Sequence, residues 1–337
     1  MPGATADQHI AVLGAGSWGT ALAIHLARAG LKVCLWGNEP EHVARLRQQR
    51  RNQQFLPDVD FPPSLSVEAD LETALSRAAW VLLAIPSHAF RSFLHAHSKL
   101  FTAAMPVAWA SKGLEQNSAK LLHEVVKEEL PQCQHLAVIS GPTFAKEVAR
   151  NMPTAISVAS NSETFASTLT DALHSGRFRV YVSDDIVGVE LGGAVKNVLA
   201  IAAGAADGLG FGANARAALI TRGLAEMMRL GEVMGGRRET FMGLAGMGDL
   251  VLTCTDDQSR NRRLGLLLAQ GKTLDEINQQ IGQEIEGVKT AAEVMRLAEK
   301  HQIDMPITRQ VYRVLYQGAS PQNAVRELLS RDSTSEF

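Results

Sequence analysis

The sequence predicts an α/β domain on a parallel sheet over residues 8–183, followed by an all-helical domain over 184–331. Two observations carry this. Short apolar, β-rich runs at 9–13, 32–36, 80–85, 107–110, 135–140, 155–159 and 179–182 alternate with stretches of helical spacing. Unbroken apolar strands separated by helices indicate a sheet covered on both faces. After about residue 183 the strands stop, and helical stretches follow one another with caps and breakers.

Within the first half, helical spacing is clearest at 21–29, 41–51 and 119–129. The hand-over falls at Ser183-Asp184-Asp185, itself a helix-start signal. In the second half, Thr273-Leu-Asp-Glu276 is a capping-box pattern, and Ser320-Pro321 places an N-cap before a proline at the first helical position. Gly271 and Gly318 stand where helices should end. The tail Arg331–Phe337 is polar and reads as frayed.

Composition bounds the function. At about 150 residues per domain, 337 residues suit two domains. With 46% hydrophobic and 20% charged residues, wholesale disorder and coiled-coil architectures are excluded. A formal charge of −2 gives no global field for nucleic acid or anionic membrane. Cys34, Cys133 and Cys254 are far apart, which argues for a reducing compartment and against a disulfide framework or cysteine-based zinc site. The first nine residues show neither a basic nor an apolar targeting region. Apolar runs such as 80–86 and 198–206 are too short or too rich in Gly and Ala to span about 30 Å of hydrocarbon. The expectation is a cytoplasmic protein with no membrane insertion, no nucleic-acid partner and no metal.

The first strand runs into Gly14-Ala-Gly16-Ser-Trp-Gly19 and then a helix. In a dinucleotide-binding βαβ unit, the first glycine makes the tight turn, the second lets backbone approach the pyrophosphate, and the third lets helix and strand pack closely. The helix start supplies free N–H groups to the anion. Past the second strand the first polar side chain is Asn38, which does not repel a 2′-phosphate; Glu39 follows it. NADP use is somewhat favoured and NAD stays open. Arg45, Arg47, Arg50 and Arg51 lie nearby, each explicable as surface charge.

Two further segments follow predicted strand ends, where ligands bind in open α/β sheets. Lys112 in Ala110-Ser-Lys-Gly113 is either a ligand contact or an exposed loop lysine. Gly141 and Thr143 in Ser140-Gly-Pro-Thr-Phe-Ala145 offer close backbone approach and either a helix cap or a ligand hydroxyl.

In the helical half, 184–207 is almost wholly small or apolar, so this helix should be buried all round. Lys196 and Asn197 interrupt it. A buried lysine is costly and is kept for a partner or a task. It either pairs with a buried acid or moves a proton. Gly192 and Gly193 weaken a helix unless something must pack close. Asp249 ends a glycine-rich run as a helix cap or a functional acid. Ser259-Arg-Asn-Arg-Arg263 opens a helix with three arginines, which oppose the helix dipole unless an anion sits there.

These residues resemble a known family. Gly14-Ala-Gly-Ser-Trp-Gly-Thr-Ala-Leu-Ala23, Phe55-Leu-Pro57, Ser111-Lys-Gly113, Gly141-Pro-Thr-Phe-Ala145, the 192–204 segment with Gly-Ala-Val-Lys-Asn, Gly246-Met-Gly-Asp-Leu250 and Ser259-Arg-Asn261 are similar to NAD(P)-dependent glycerol-3-phosphate dehydrogenases, in particular the bacterial biosynthetic form. The resemblance spans residues 9 to 330. It implies a Rossmann domain and a helical domain like that of 6-phosphogluconate dehydrogenase. It implies interconversion of dihydroxyacetone phosphate and sn-glycerol 3-phosphate with NAD(P)H, supplying phospholipid synthesis, and a homodimer. The implied catalytic residues are Lys196, as proton donor and acceptor, with Lys112 and Asp249. Implied substrate contacts are Lys112, Gly141, Thr143, Lys196, Asp249, Ser259, Arg260 and Asn261. Implied cofactor contacts are Ser17, Trp18, Asn38, Lys112, Ala145, Arg260 and Glu286, joining Gly14, Gly16 and Gly19. The rivals are a hydroxy-acid or ketopantoate-type dehydrogenase of the same build, which would need no phosphate site, and a non-catalytic NAD(P) sensor, which would need no Lys196.

Overall fold

The computed structural model describes residues 9–331. The expectations for the targeting region before His9 and for the tail beyond Arg331 lie outside the described residues. The chain divides into two compact units: residues up to Lys112 with Leu121–Glu190, and Gly113–Lys120 with Leu191 onward.

The first unit runs β1 (His9–Leu13), α1 (Ser17–Arg28), β2 (Lys32–Trp36), α2 (Pro40–Gln49), β3 (Arg51–Asn52), β4 (Leu56–Asp60), β5 (Leu65–Glu68), α3 (Leu71–Leu75), β6 (Ala78–Leu83), α4 (Ser87–His97), β7 (Val107–Trp109), α5 (Leu122–Glu129), β8 (Leu136–Ser140), α6 (Ala145–Ala149), β9 (Thr154–Ser160), α7 (Glu163–Leu173) and β10 (Phe178–Ser183). The main sheet has the order β10-β9-β8-β7-β6-β1-β2-β5, and β3 pairs with β4 in a separate hairpin. Its core joins Ile10, Val12, Val33, Leu35, Leu82 and Ile139 to Leu22, Ile24 and Leu26 of α1. Each such burial contributes about 2 kcal/mol.

Every pairing in the main sheet is parallel except β8 with β9, which is antiparallel from Ala137↔Ser160 to Ser140↔Ser157. A parallel return needs a long crossover covering the sheet, and the β8–β9 connection carries only the five-residue α6. Gly141 makes the reversal at φ +150°, where a Cβ would lie 3.0 Å from Ile156 Cα.

The second unit is helical: α8 (Ile186–Gly208, begun in the first unit), α9 (Ala213–Val233), α10 (Arg238–Met242), α11 (Asp249–Thr255), α12 (Arg260–Ala269), α13 (Leu274–Ile281), α14 (Glu286–Lys300), α15 (Pro306–Tyr316) and α16 (Pro321–Leu329). Asp185 caps α8 by accepting from Gly188 N at 2.8 Å, Thr273 and Glu276 form the capping box of α13, and Ser320 accepts from Asn323 N ahead of α16. By length and composition α8 could cross a membrane, but 83% of its apolar window is buried inside the protein, as in a core helix.

One cap was not foreseen. Glu226 on α9 accepts from Ile307 N (2.6 Å), Thr308 N (3.1 Å) and Thr308 Oγ1 (3.0 Å), closing the start of α15. Burial pushes its carboxyl from an ordinary 4.5 up to about 7, against the pull of those donors and Arg229. The folded chain therefore holds this proton more tightly than the unfolded chain. The stabilisation is full below pH 4.5 and is lost as pH rises through 7. Denaturation midpoints between pH 5 and 8 should show a decline worth about 3 kcal/mol that Glu226→Gln removes; parallel profiles for parent and variant would refute it.

Candidate functional site

At the end of β1, Gly14 adopts φ +123°, and a Cβ there would lie 2.5 Å from the Ala84 carbonyl oxygen. A Cβ on Gly19 would lie 1.9 Å from Gly14 O. A Cβ on Gly16 would meet nothing within 4 Å. The turn is thus closed on the protein side and open at Gly16, and α1 starts at Ser17 with amides that lack intrahelical partners. Trp18 Nε1 is buried with no hydrogen-bond partner among the described residues. A dinucleotide's diphosphate fits an open glycine at a helix start beside an unsatisfied donor.

Asn38 is exposed just beyond β2, and Ala145 opens α6. Of the nearby arginines, Arg47 bonds Glu68 and Val67 O, Arg50 bonds Leu65 O and Pro62 O, and Arg51 bonds Asp60. They act in this unit as structural cations.

Lys112, Gly141 and Thr143 come together. Lys112 Nζ donates to Gly141 O at 3.0 Å, and Thr143 Oγ1 donates to the same oxygen at 3.2 Å. Ser111 Oγ donates to Ile85 O at 2.5 Å, fixing the loop beyond β7. Glu190 accepts from Trp109 Nε1 (2.9 Å), His123 N (2.9 Å) and His123 Nδ1 (2.6 Å), tying the first turns of α8 to β7 and α5.

Further along α8 lies the second group. A π-helical turn at Leu244–Gly248, with Gly248 N bonded to Gly243 O at 3.0 Å, leads into α11. Gly192 lies against it: a Cβ would stand 2.5 Å from Ala245 O. One turn after Gly192, Lys196 Nζ donates to Asp249 Oδ1 at 2.7 Å and to Thr253 Oγ1 at 2.8 Å, while Thr253 Oγ1 donates to Asp249 Oδ1 at 3.2 Å. Lys196 is 7% exposed and Asp249 is fully buried. Asp249 therefore faces the lysine and is not a side-chain cap. Thr253 was missed, although its i+4 spacing from Asp249 on one helix face was the available signal.

At α12, Ser259 accepts from Arg262 N at 3.2 Å as its N-cap. Asn261 Nδ2 donates to Asn197 Oδ1 at 2.9 Å, and its Oδ1 accepts from Gly287 N at 2.9 Å, binding the starts of α12 and α14 to α8. Arg260 donates to Glu284 O at 2.6 Å. Burial lowers the Arg260 pKa, Glu286 at the start of α14 pulls it back up, and Arg263 lowers it again; the guanidinium stays protonated. Arg262 departs from the expected anion cluster. It is buried against Asp207 (2.5 Å), Asp257 (2.9 Å) and Cys254 O (3.2 Å).

Chemically, one unit offers a diphosphate cradle and an ammonium at a strand end. The other offers a buried ammonium oriented by an acid and a hydroxyl, beside a helix start with a guanidinium. The chain matches the family described as NAD-dependent glycerol-3-phosphate dehydrogenase, its N-terminal part over residues 9–166 and its C-terminal part over 185–326. It is 57% identical over 328 residues to the glycerol-3-phosphate dehydrogenase (NAD(P)+) of Thioalkalivibrio sulfidiphilus, covering 97% of this chain and 98% of that protein. The crystal structure of glycerol-3-phosphate dehydrogenase from Coxiella burnetii superposes with a TM-score of 0.94 at 53% identity, covering 97% of this chain and all of that one. A ketopantoate reductase from Ralstonia eutropha, 18% identical with a TM-score of 0.59, covers 94% of this chain and 100% of its own; it shares the fold alone. Matched over both halves and more than half identical to a relative of the same length, the chain belongs to the NAD-dependent glycerol-3-phosphate dehydrogenase family and uses NAD(P).

Proposed function

We propose that the chain interconverts dihydroxyacetone phosphate and sn-glycerol 3-phosphate, with Lys196 moving the proton. The carrying observation is the buried Lys196–Asp249–Thr253 cluster. Bound NAD(P)H supplies the hydride. Gly14, Gly16, Gly19, Ser17 and Trp18 hold its diphosphate side, with Asn38, Lys112, Ala145, Arg260 and Glu286 as further contacts. As the ketone is reduced, negative charge builds on its oxygen. Lys196 stabilises that charge and donates a proton. Asp249 and Thr253 hold the ammonium in one orientation. In the oxidative direction a neutral Lys196 takes the hydroxyl proton. Lys112, with Gly141 and Thr143 beside it, contacts the substrate and adds positive charge.

Arg260, Ser259, Asn261 and the α12 amides take the substrate phosphate, whose binding energy fixes the reacting carbon. With NADPH held saturating, because Arg260 is also a cofactor contact, Arg260→Ala should raise KM for dihydroxyacetone phosphate by about a hundredfold and change the response to unphosphorylated dihydroxyacetone far less, read as NADPH oxidation at 340 nm. An unchanged KM would put the phosphate elsewhere.

The reading extends to a homodimer in the cytoplasm that supplies phospholipid synthesis and favours NADPH over NADH. The three cysteines, all free and buried, support a reducing compartment. Asn38, without an acid's charge, supports the cofactor preference.

A further inference from the structure

The glycine-rich turn is braced from behind by a residue that neither the nucleotide fingerprint nor the reaction requires. Asn52, in β3, is fully buried. Its Nδ2 donates to Ala15 O at 2.9 Å and to Thr20 Oγ1 at 2.8 Å. Its Oδ1 accepts from Phe55 N at 3.2 Å and faces His42 Nε2 at 3.3 Å. Reversing the amide would set an N–H against the Phe55 N–H and an oxygen against the Ala15 carbonyl, so only one orientation satisfies the site. Three residues on, Phe55 O accepts from Ser17 Oγ at 3.1 Å. The β3–β4 hairpin thus grips the turn at Ala15, Ser17 and Thr20.

Ala15 stands between the first two glycines of the turn. The Ala15–Gly16 peptide is planar and trans, so its C=O and N–H point in opposite directions. Binding the carbonyl to Asn52 directs the Gly16 N–H away from the hairpin. It also keeps a carbonyl oxygen from facing an anion. We infer that Asn52 is a positioning residue for cofactor binding, which holds the Ala15–Gly16 peptide in the orientation that offers its N–H to the diphosphate. This rests on the reading that the 14–19 turn holds the dinucleotide. A buried amide with all its bonding capacity in use is costly to perturb, and here the perturbation falls on the nucleotide.

The test is nucleotide binding without second substrate, read by fluorescence titration of NADPH and by its displacement with ADP-ribose or adenosine. Asn52→Leu removes the amide without adding charge. Thr20→Val is a milder, near-isosteric cut of one anchor and decides the matter if Asn52→Leu fails to fold. Gly16→Val fills the open face of the turn, where an added Cβ would meet no atom within 4 Å. The expected result is that NADPH and ADP-ribose bind about tenfold more weakly to Asn52→Leu and several-fold more weakly to Thr20→Val. Adenosine, which lacks the diphosphate, should stay within twofold, and in turnover KM for NADPH should rise more than kcat falls. Should Gly16→Val bind NADPH like the parent, the turn is not the diphosphate site and the underlying reading fails. If Gly16→Val loses NADPH while the other two variants keep the parent's affinity, or weaken adenosine equally, Asn52 is structural only and the inference is overturned.

Discussion

Lys196→Met should reduce turnover by about a thousandfold or more while NADPH still binds. Two losses combine: the proton donor and the charge that stabilises the developing oxyanion. The same substitution leaves Asp249 fully buried without its cation, a loss of about 3–5 kcal/mol. Stability and chemistry can be separated because Asp249→Asn in the Lys196→Met background removes the stranded charge. Thermal unfolding and 340 nm assays on the single and double variants should show stability largely restored and turnover still absent. If turnover returned with stability, Lys196 would be a structural ion-pair residue and the proton would move elsewhere.

Gly204→Ala should destabilise the helical unit severely, although alanine is the better helix former by about 1 kcal/mol. A Cβ at 204 would stand 2.0 Å from Arg262 O, and the reciprocal Cβ on Gly265 would stand 2.0 Å from Ile201 O. Both clashes are with backbone, so no rotamer change relieves them, and α8 and α12 must part by more than an ångström. That strains the Asn261–Asn197 bond and the Arg262–Asp207 pair, which join the same two helices. The expected cost is about 3 kcal/mol or more. Surviving protein should have a raised KM for dihydroxyacetone phosphate, because the start of α12 moves with the helix. A denaturation midpoint equal to the parent's would show that these helices have slack the geometry denies.

The features legible in the sequence were those encoded locally. Apolar strands, the glycine turn, the Asp185 cap, the Thr273 box and the Ser320 cap are each decided by a few adjacent residues. A lysine in an apolar helix announced itself by its cost: it pairs with a buried acid, and its role in proton transfer is the proposal made above. What escaped depends on distant partners. The direction of β9 is set by how the chain returns, not by its own pattern. Thr253 and Asn52 are ordinary polar residues until Lys196 and Ala15 are brought to them. Arg262 reads like Arg260 in sequence, and it is Asp207, some fifty residues earlier, that with Asp257 makes Arg262 a structural cation, leaving Arg260 as the proposed phosphate ligand. The short hairpin at 51–60 has too few residues for a strand period to show.

The most direct test of the account is amine rescue of Lys196→Ala, which removes the side chain and leaves space for a small amine. Turnover of dihydroxyacetone phosphate with NADPH would be followed at 340 nm as methylammonium or ethylammonium is added, against sodium chloride at equal ionic strength. The account predicts a very low starting rate, restored saturably by about tenfold or more with the amines and unchanged with sodium chloride. Near-parental turnover before any amine, or equal restoration by sodium chloride, would contradict Lys196 as the group that moves the proton.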